Sequence, residues 1–462
     1  MIRKASRLLG VLVVFGTAAH GVEFDTSDAI QPYKSNPRYW QYRGQLVVLL
    51  GGSREDNLFQ IPDIESHLDT LAEVRGNYIR NTMSSRDDGD IWPFAKGIDG
   101  RFDLDVPNTA YYERLNQCLQ LAYERDIIVQ IEMWDRFDYA RDIWERNPYR
   151  PVNNTTYTTT SSGLKNHYPN HPGTNENPFF YSVPELKNNE LLLRYQHAHV
   201  DRILAVSLQY PNVLYCMDNE TSGAEEWGAY WARHIKSKAR GAGVYVNVTE
   251  MWDDWNLRSP THQRTLGRPE RYDFADVSQN NHQKGQAHWD NLQWALHSVK
   301  DAPRPLNKVK IYGADRGQFG STRDGVERFW RGLIGGAASV RFHRPDAGIG
   351  LSEIAQTHLK SARTLCGKFD FTRAAPDTES KRLTNRSDNE AYLSSIPSES
   401  SIIYFPNGGS VEVELEEGTT SGRYVWLDID NAKWSDETPF VNVPGVSLTT
   451  PTQGHWIALI SR

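Results

Sequence analysis

Cysteine is scarce in this sequence of 462 residues, which contains only Cys118, Cys216 and Cys366. So few thiols, in an odd number, exclude a disulfide scaffold. CxxC pairs and the Cys/His spacings of zinc sites are also absent, so the sequence gives no indication of a structural metal. We therefore expect three buried thiols, no metal site and no cofactor.

Blocks of charge of one sign are missing as well. The formal net charge is -7 at pH 7, and no basic stripe of the kind that binds a phosphate backbone is present. We therefore predict no nucleic-acid partner. The composition, 39% hydrophobic and 24% charged residues, is typical of a globular chain with room for two or three domains.

Long apolar runs are absent except near the start of the chain. Residues 1–21 combine a basic beginning, an apolar stretch from Leu8 to Val14 and small residues up to Gly21, which is typical of a secretory signal peptide. No later run reaches the roughly 18 apolar residues of a membrane span. We predict a secreted or periplasmic protein with no membrane contact beyond this segment, and the sequence leaves its oligomeric state open.

Short apolar runs alternate with longer amphipathic segments, a pattern typical of parallel strands covered by helices. No glycine-rich phosphate motif follows any of the strand candidates, which weakens an open doubly wound sheet as the alternative. The pattern predicts an α/β fold, a (β/α)8 TIM barrel over residues 22–376. The eight strand candidates are 45–52, 77–84, 127–135, 212–220, 244–252, 274–281, 308–315 and 339–345.

Two segments depart from this alternation. Residues 136–187 are rich in Asn, Pro, Gly and Thr, which predicts a long loop over the upper face of the barrel, and loops of this length tend to be functional. Over residues 377–462, short β runs separated by turn residues replace the helical period. This second pattern predicts a small antiparallel β-sandwich after the barrel.

Active sites of TIM barrels lie at the C-terminal ends of the strands, and the polar residues at these ends are mainly acidic here. No Ser/His/Asp arrangement or nucleophile elbow is present, so acid–base or carboxylate-nucleophile chemistry is the natural use of the rim. A divalent metal is the main rival, but no HxH or HxxxH pair lies at a strand end. The rim residues are Arg80, Glu132, Asp135, Asp218, Asn219, Glu220, Glu250, Asp253, Asp254, Asn280, Asn281, His282, Asp315, Arg341, His343 and Arg344.

Cleavage of a glycosidic bond needs two facing carboxylic acids, of which one protonates the leaving oxygen and the other attacks the anomeric carbon or activates water. The rim can supply such a pair, and the amide of Asn219 suits a hydrogen bond to a sugar hydroxyl. Aromatic residues near strand ends, Trp134 and Trp252, can stack on sugar rings. The rim therefore predicts a carbohydrate substrate.

The residues of strands 2 and 4 resemble those of clan A glycoside hydrolases, a retaining TIM-barrel group. Gly76-Asn77-Tyr78-Ile79-Arg80 is similar to the clan's GxNxxR, and Asn219-Glu220 is similar to its NE pair. The resemblance implies Glu220 as general acid/base, Asn219 as a sugar ligand and Arg80 as a support for the nucleophile. The chain departs from the clan on strand 7, where Asp315 replaces the nucleophilic Glu, so Glu250 and Asp315 both remain candidates for the second catalytic carboxylate.

The layout as a whole resembles apiosidase-like glycoside hydrolases, which carry a barrel followed by a collagen-binding-type sandwich. NPRYWQYRGQLVVLLGGS is similar to their opening strand, and RYVWLDIDNAKW with GHWIALI is similar to the end of their sandwich. This resemblance implies the architecture more than the substrate.

Together these features predict an exported glycoside hydrolase that acts on a polysaccharide or oligosaccharide. Two alternatives remain open: a non-catalytic carbohydrate-binding protein on a degenerate barrel, and a polysaccharide lyase that uses Arg and His against a uronic acid. The predicted substrate-binding residues are Arg80, Glu132, Trp134, Asp135, Asn219, Trp252, His282, Arg341 and His343.

Overall fold

The computed structural model describes residues 28–315, 319–379 and 381–462. The predicted signal segment, residues 1–21, lies outside these ranges. None of the helices within them has the length and apolar character needed to cross a bilayer.

Eight parallel strands form the central sheet, and the prediction of a TIM barrel is confirmed. The strands are β1 (Leu49–Gly52), β2 (Tyr78–Thr82), β3 (Ile128–Asp135), β4 (Val213–Asn219), β5 (Asn247–Thr249), β6 (Ala275–Asp276), β7 (Leu306–Ile311) and β8 (Ser339–Phe342). Their order in the sheet is β5-β4-β3-β2-β1-β8-β7-β6. Each strand overlaps one of the predicted segments, because nearly continuous apolar runs identify strands that are covered on both faces.

The sheet is nearly closed, and Asp273 spans the gap between β5 and β6. The Asp273 backbone N donates to Val248 O at 2.9 Å. In return, Val248 N donates to the Asp273 carboxylate at 2.9 Å. These two bonds stand where ladder bonds between neighbouring strands would otherwise close the ring.

One main helix follows each strand. They are α1 (Ile64–Glu73), α2 (Thr109–Glu124), α3 (Glu190–Ser207), α4 (Glu225–Gly241), α5 (Pro260–Leu266), α6 (Gly285–Ser298), α7 (Thr322–Ile334) and α8 (Glu353–Cys366). Helix α1 buries Ile64, Leu68 and Leu71 on one face, at the spacing that places side chains one above another on a helix. Helix α7 begins at a capping box made by Ser321 and Asp324.

A short antiparallel sheet closes the bottom of the barrel. Its strands are Gln31–Pro32, Trp40–Tyr42 and Gln45–Val47. The buried indole of Trp40 donates to Asn307 Oδ1 at 3.0 Å, at the start of β7. The first predicted strand segment, 45–52, is therefore divided between this sheet and β1. Because the bottom is covered, ligand access lies at the opposite end of the barrel.

The long loop after β3 is compact. It contains the single-turn helices Arg141–Trp144 and Thr159–Ser162 and several 3-10 turns, so the expectation of a loop without long helices is met. Its aromatic side chains form a small core; for example, the rings of Tyr139 and Phe179 lie 4.3 Å apart. Burial of these rings fixes the loop over the top of the barrel.

The C-terminal part contains two antiparallel sheets, as predicted for a β-sandwich. The larger has the strands Ala375–Pro376, Tyr392–Ile396, Ser400–Phe405, Gly422–Asp428, Lys433–Trp434, Thr438–Phe440 and Trp456–Ser461, and the smaller has Leu383–Thr384, Ser410–Glu414 and Gly445–Thr449. Alternate residues of the larger sheet pack on the barrel, as Ile402 and Tyr404 do. The residues between them, such as Ile403 and Phe405, form the core of the sandwich. The sheet already includes Ala375, just before the predicted boundary at residue 377.

Candidate active site

A cavity of about 350 Å³ opens at the C-terminal ends of the strands. The loop after β3 contributes Phe137 and Pro172 to its wall. The charged lining residues are the acidic Asp56, Asp142, Glu220 and Asp346 and the basic Arg86, Arg141, Lys310 and Arg344. Since four acids face four bases, the lining has no excess of either charge.

Glu220 lies immediately after β4 and points into this cavity. Its φ of 54° is in the left-handed region, which is uncommon for a residue other than glycine and is a form of strain found at functional sites. Its Oε1 accepts hydrogen bonds of 3.0 Å from Tyr312 and Gln279. The same oxygen lies 2.7 Å from Lys310 Nζ, and 14% of the Glu220 side chain is exposed.

These contacts keep Glu220 ionised. Burial alone would raise its pKa, but the charge and hydrogen bond of Lys310, followed by the charge of Arg80, lower the pKa to about 2. A general acid must hold a proton before it reacts, whereas a nucleophile or general base must be ionised. In this arrangement Glu220 therefore fits the second role rather than that of a resting general acid.

A β-bulge in β7 directs Lys310 toward Glu220. The hydroxyl of Ser278 accepts both the Val309 N–H, at 2.9 Å, and the Lys310 N–H, at 3.1 Å. The pairing register with β8 shifts in the same stretch. Lys308 contacts His288 of α6 outside the barrel, while Lys310 donates to Asn219 inside it. Bulges of this kind re-aim side chains beside active sites.

Arg80 forms the buried floor beneath the cavity. Its guanidinium lies 2.5 Å from Asp56 and 2.7 Å from Glu132, and all three side chains are almost fully buried. Asp56 also lies near the cations Arg86 and Arg344. Burial would raise the pKa of Asp56, but these cations, with Arg80 foremost, hold it well below its usual value. The pKa of Glu132 is raised because burial outweighs the charge of Arg80.

Asn219 joins this floor to Lys310. Its amide NH2 donates to Asp135 at 3.0 Å, and its amide oxygen accepts from Lys310 at 2.6 Å. Asp135 also pairs with Arg86 at 2.6 Å. The amide therefore has a fixed orientation, and Asn219 lines the cavity directly.

Glu250 lies behind β4 rather than in the cavity. Its Oε1 accepts from the backbone N–H groups of Asp218 and Met251, both at 3.0 Å. Its Oε2 lies against α4, where a Cβ built on Gly228 would come within 2.1 Å of it. Burial and the neighbouring Asp218 raise the pKa of Glu250 well above its usual value. This position does not support Glu250 as the second catalytic carboxylate.

Asp315 also lies away from Glu220. It is exposed, and its carboxylate accepts a 2.8 Å hydrogen bond from the backbone N–H of Thr322, the first residue of α7. His282 is exposed beside Phe319, at a ring separation of 5.0 Å. The position of Asp315 therefore brings no second carboxylate to Glu220 Oε1. The pKa of His282 is lowered by partial burial, against the negative charge of Glu220, which acts on its imidazole.

The two tryptophans predicted to stack on sugar rings are buried. The ring of Trp134 is 1% exposed and packs against Trp227 and Trp231 of α4. Trp252 is equally buried, and its indole N–H donates to Thr265 at 2.7 Å. Neither indole offers a face to a sugar.

Arg341 and His343 of the last barrel unit have different surroundings. The buried guanidinium of Arg341 donates to Val309 O at 2.7 Å and to the Ser53 hydroxyl. His343 does line the cavity, and its ring lies 4.7 Å from that of Tyr312 at an angle of 55°. Burial lowers the pKa of His343 well below its usual value, so the ring is neutral at physiological pH.

Sequence reasoning missed Lys310, Tyr312, Gln279 and Asp56. Lys310 could have been found from the sequence. The strand Leu306–Ile311 reads LNKVKI, and a lysine on a buried strand requires a partner. No comparable signal singles out Gln279 or Tyr312.

Asp253, after β5, is a further acidic group coupled to Glu220. Its backbone N–H donates to Thr221 O at 2.8 Å, which places it beside the residue that follows Glu220. Partial burial, and then the negative charge of Glu220, raise the pKa of Asp253. The pKa values of Glu220 and Asp253 are thus shifted in opposite directions.

No protein-family model matches the chain, and no curated protein matches it. Solved structures do match the chain. A family 5 glycoside hydrolase from Bacteroides vulgatus has a TM-score of 0.65 at 12% identity, covering 94% of this chain and 93% of that chain. Another glycoside hydrolase has a TM-score of 0.64 at 11% identity, covering 94% and 97%.

A family 5 mannosidase from Rhizomucor miehei covers less of this chain. Its TM-score is 0.51 at 10% identity, with coverage of 73% of this chain and 97% of that chain. At such low identities the similarity concerns the fold alone. The chain therefore shares its fold with these glycoside hydrolase structures.

Proposed function

We propose that the protein is an exported glycoside hydrolase and that its reaction takes place in the cavity around Glu220. The observation that carries this proposal is the position of the Glu220 carboxylate, which lies just after β4 in an open cavity and 2.7 Å from Lys310 Nζ. The fold shared with glycoside hydrolases supports the same class of reaction. Export rests on the signal-like segment at residues 1–21.

We assign the two acidic roles by their pKa shifts. Paired carboxyl groups whose surroundings drive their pKa values apart serve as base or nucleophile and as acid, respectively. Glu220, held ionised by Lys310, attacks the anomeric carbon or activates water. Asp253 is the candidate for the acid that protonates the leaving oxygen, because the negative charge of Glu220 adds to partial burial in raising its pKa; its side chain is exposed and lies outside the residues that line the cavity. This assignment replaces the general-acid role that the family resemblance implies for Glu220.

The charge balance of the cavity favours an uncharged sugar over a uronic acid. Arg344 pairs with Asp346 at 3.0 Å, and Arg86 pairs with Asp135 at 2.6 Å. Arg341 is buried away from the cavity. Because Arg86 and Arg344 already have carboxylate partners, Arg141 is the one arginine of the cavity lining that forms no ion pair with the described residues. The Arg/His lyase alternative therefore retains a single unpaired arginine at the cavity.

The test compares Glu220→Gln with Asp253→Asn on a panel of neutral aryl glycosides and oligosaccharides. Glu220→Gln should lower kcat/KM about a thousand-fold or more on every substrate. Asp253→Asn should cause a comparable loss only where the leaving group is poor, because an activated leaving group such as dinitrophenolate departs without protonation. Circular dichroism of both variants provides the control for folding.

The opposite result would reverse the assignment. If Glu220→Gln keeps its activity on the activated aryl glycosides, Glu220 is the acid, as the family resemblance implies. A second candidate function, a non-catalytic carbohydrate-binding protein, is favoured by the position of Lys310 against Glu220 and by the absence of Glu250 from the cavity lining. Binding of oligosaccharides by calorimetry, without hydrolysis by the wild type, would support this candidate.

A further inference from the structure

Two helices on the outside of the barrel bring together three residues that can bind a metal ion. His197 and Asp201 lie one turn apart on α3, and His234 faces them from α4. One ligand atom from each residue lies within 4.8 Å of the other two. The cluster is separate from the cavity around Glu220 and shares no residue with it.

The spacing of the two imidazoles fits a metal better than a direct hydrogen bond. His197 Nδ1 and His234 Nε2 are 3.4 Å apart. Well-formed hydrogen bonds from nitrogen are typically about 2.7 to 3.2 Å long. Two nitrogens bound to one tetrahedral zinc, each at about 2.0 to 2.1 Å, are separated by about 3.3 to 3.4 Å.

Partners that would orient the ligands are already present. Tyr230 OH lies 2.6 Å from His197 Nε2, the nitrogen on the far side of the ring from the cluster. Lys238 donates to Asp201 Oδ2 at 2.6 Å, which leaves Oδ1 directed at His234. Metal-bound imidazoles and carboxylates usually have such outer hydrogen bonds, which fix the ring tautomer and the direction of the carboxylate.

The cluster is also accessible and held in place. The side chain of His234 is 16% exposed and that of Asp201 is 35% exposed, so an ion can enter and keep a water in the fourth position. The ring of Trp231 packs against His197 at 5.1 Å and against His234 at 5.7 Å. The imidazoles are therefore positioned before an ion arrives.

We propose that His197, Asp201 and His234 bind one divalent transition-metal ion, with zinc as the best fit. Two imidazoles, one carboxylate and a water form a donor set that suits zinc, and calcium and magnesium prefer oxygen ligands. On binding, Asp201 Oδ1 exchanges its 2.6 Å contact with His234 Nε2 for the metal. The bound ion links α3 to α4. The ligands come from two helices, so no short sequence motif reveals the site.

The experiment titrates the full chain, without a histidine tag, with zinc chloride by isothermal calorimetry. The wild type should bind one zinc ion per chain, and His197→Ala and His234→Ala should each weaken binding at least ten-fold. His297→Ala, at the exposed end of α6, is the matched control and should bind as the wild type does. At a zinc concentration 100 times the Kd, the folding equilibrium constant of the wild type should rise about 100-fold.

Cobalt provides a second measurement that needs no variant. A tetrahedral site should give the wild type a visible d–d absorption band on addition of Co²⁺, and zinc should abolish this band by competition. Failure of the wild type to bind zinc, or equal binding by the wild type and both histidine variants, would overturn the proposal.

Discussion

Two groups of buried carboxylates lie on opposite sides of β4, and they differ in charge. The inner group, Glu220 and Asp56, faces the cavity and several cations, and the pKa values of both residues are lowered. The outer group, Asp218 and Glu250, faces α4, and the pKa values of both are raised, that of Asp218 to about 7. Both groups are removed from water, so the number of nearby cations, rather than burial, separates them.

The largest expected effect on stability and on the pH profile comes from Lys310→Met. This substitution removes a cation from beside the inner group, which then has fewer cations nearby, as the outer group does. Lys310 is 2% exposed, and its removal leaves Glu220 without its closest cation. We expect a loss of about 3 kcal/mol in the free energy of unfolding, since an unpaired buried charge remains. The pKa of Glu220 should rise, so the acid limb of the kcat/KM profile, which reports its ionisation, should move to higher pH.

Lys308→Met is the matched control on the same strand. Lys308 is buried beside His288 outside the barrel, so its amine is directed away from Glu220. This variant should leave the acid limb where the wild type has it. A profile that moves equally in both variants would show that the cation at Lys310 does not control Glu220.

A smaller effect is expected from Asp218→Asn, which removes one carboxyl from the outer group. Asp218 has a raised pKa in the folded state, of about 7, against about 3.9 when unfolded. Between these values the folded state holds the extra proton, so the wild type loses stability as pH rises, by up to roughly 1.4 kcal/mol per pH unit. The variant should lose less stability over this range, as measured by urea unfolding from pH 4 to 8.

At pH 4 the two proteins should be about equally stable, and at pH 8 the variant should be the more stable one. A difference between them that does not change with pH would contradict the raised pKa of Asp218.

The smallest effect is expected from Asp315→Ala, at an exposed carboxylate that belongs to neither group. Its bond to Thr322 N–H stabilises the start of α7, so its loss should cost about 0.5 to 1 kcal/mol. The value of kcat/KM should not change. A loss of activity of a hundred-fold or more would restore Asp315 as a candidate nucleophile.

The barrel could be predicted because its strands are apolar and its helices amphipathic, and both patterns survive in the sequence. The direction in which side chains point at the strand ends could not be predicted. Glu132 bonds to Arg80 inside the barrel, whereas Trp134, two residues later, packs against α4 outside it. Strict alternation would put both residues on one face, and the pairing register of β3 with β4 is the same at both positions, so nothing in the residue pattern indicates the burial of Trp134.

The direction of the Glu250 side chain could not be predicted for a related reason. Strand β5 contains only Asn247–Thr249, so Glu250 lies just beyond it and its direction depends on where the strand ends. The direction of the Lys310 side chain could not be predicted either, because it depends on a bulge that no residue type in the strand indicates. Glu220, in contrast, follows a long and apolar strand, and its placement at the cavity matches the expectation.

The bulge in β7 influences the pKa of Glu220, a carboxylic acid at the end of another strand. Ser278 anchors the bulge from the loop after β6, and the bulge in turn directs Lys310 to Glu220 on β4. The protonation state of Glu220 therefore depends on the backbone geometry of a strand three units further along the barrel. An insertion or deletion in β7 would redirect Lys310 and so change the pKa of Glu220 without replacing any of the residues that line the cavity.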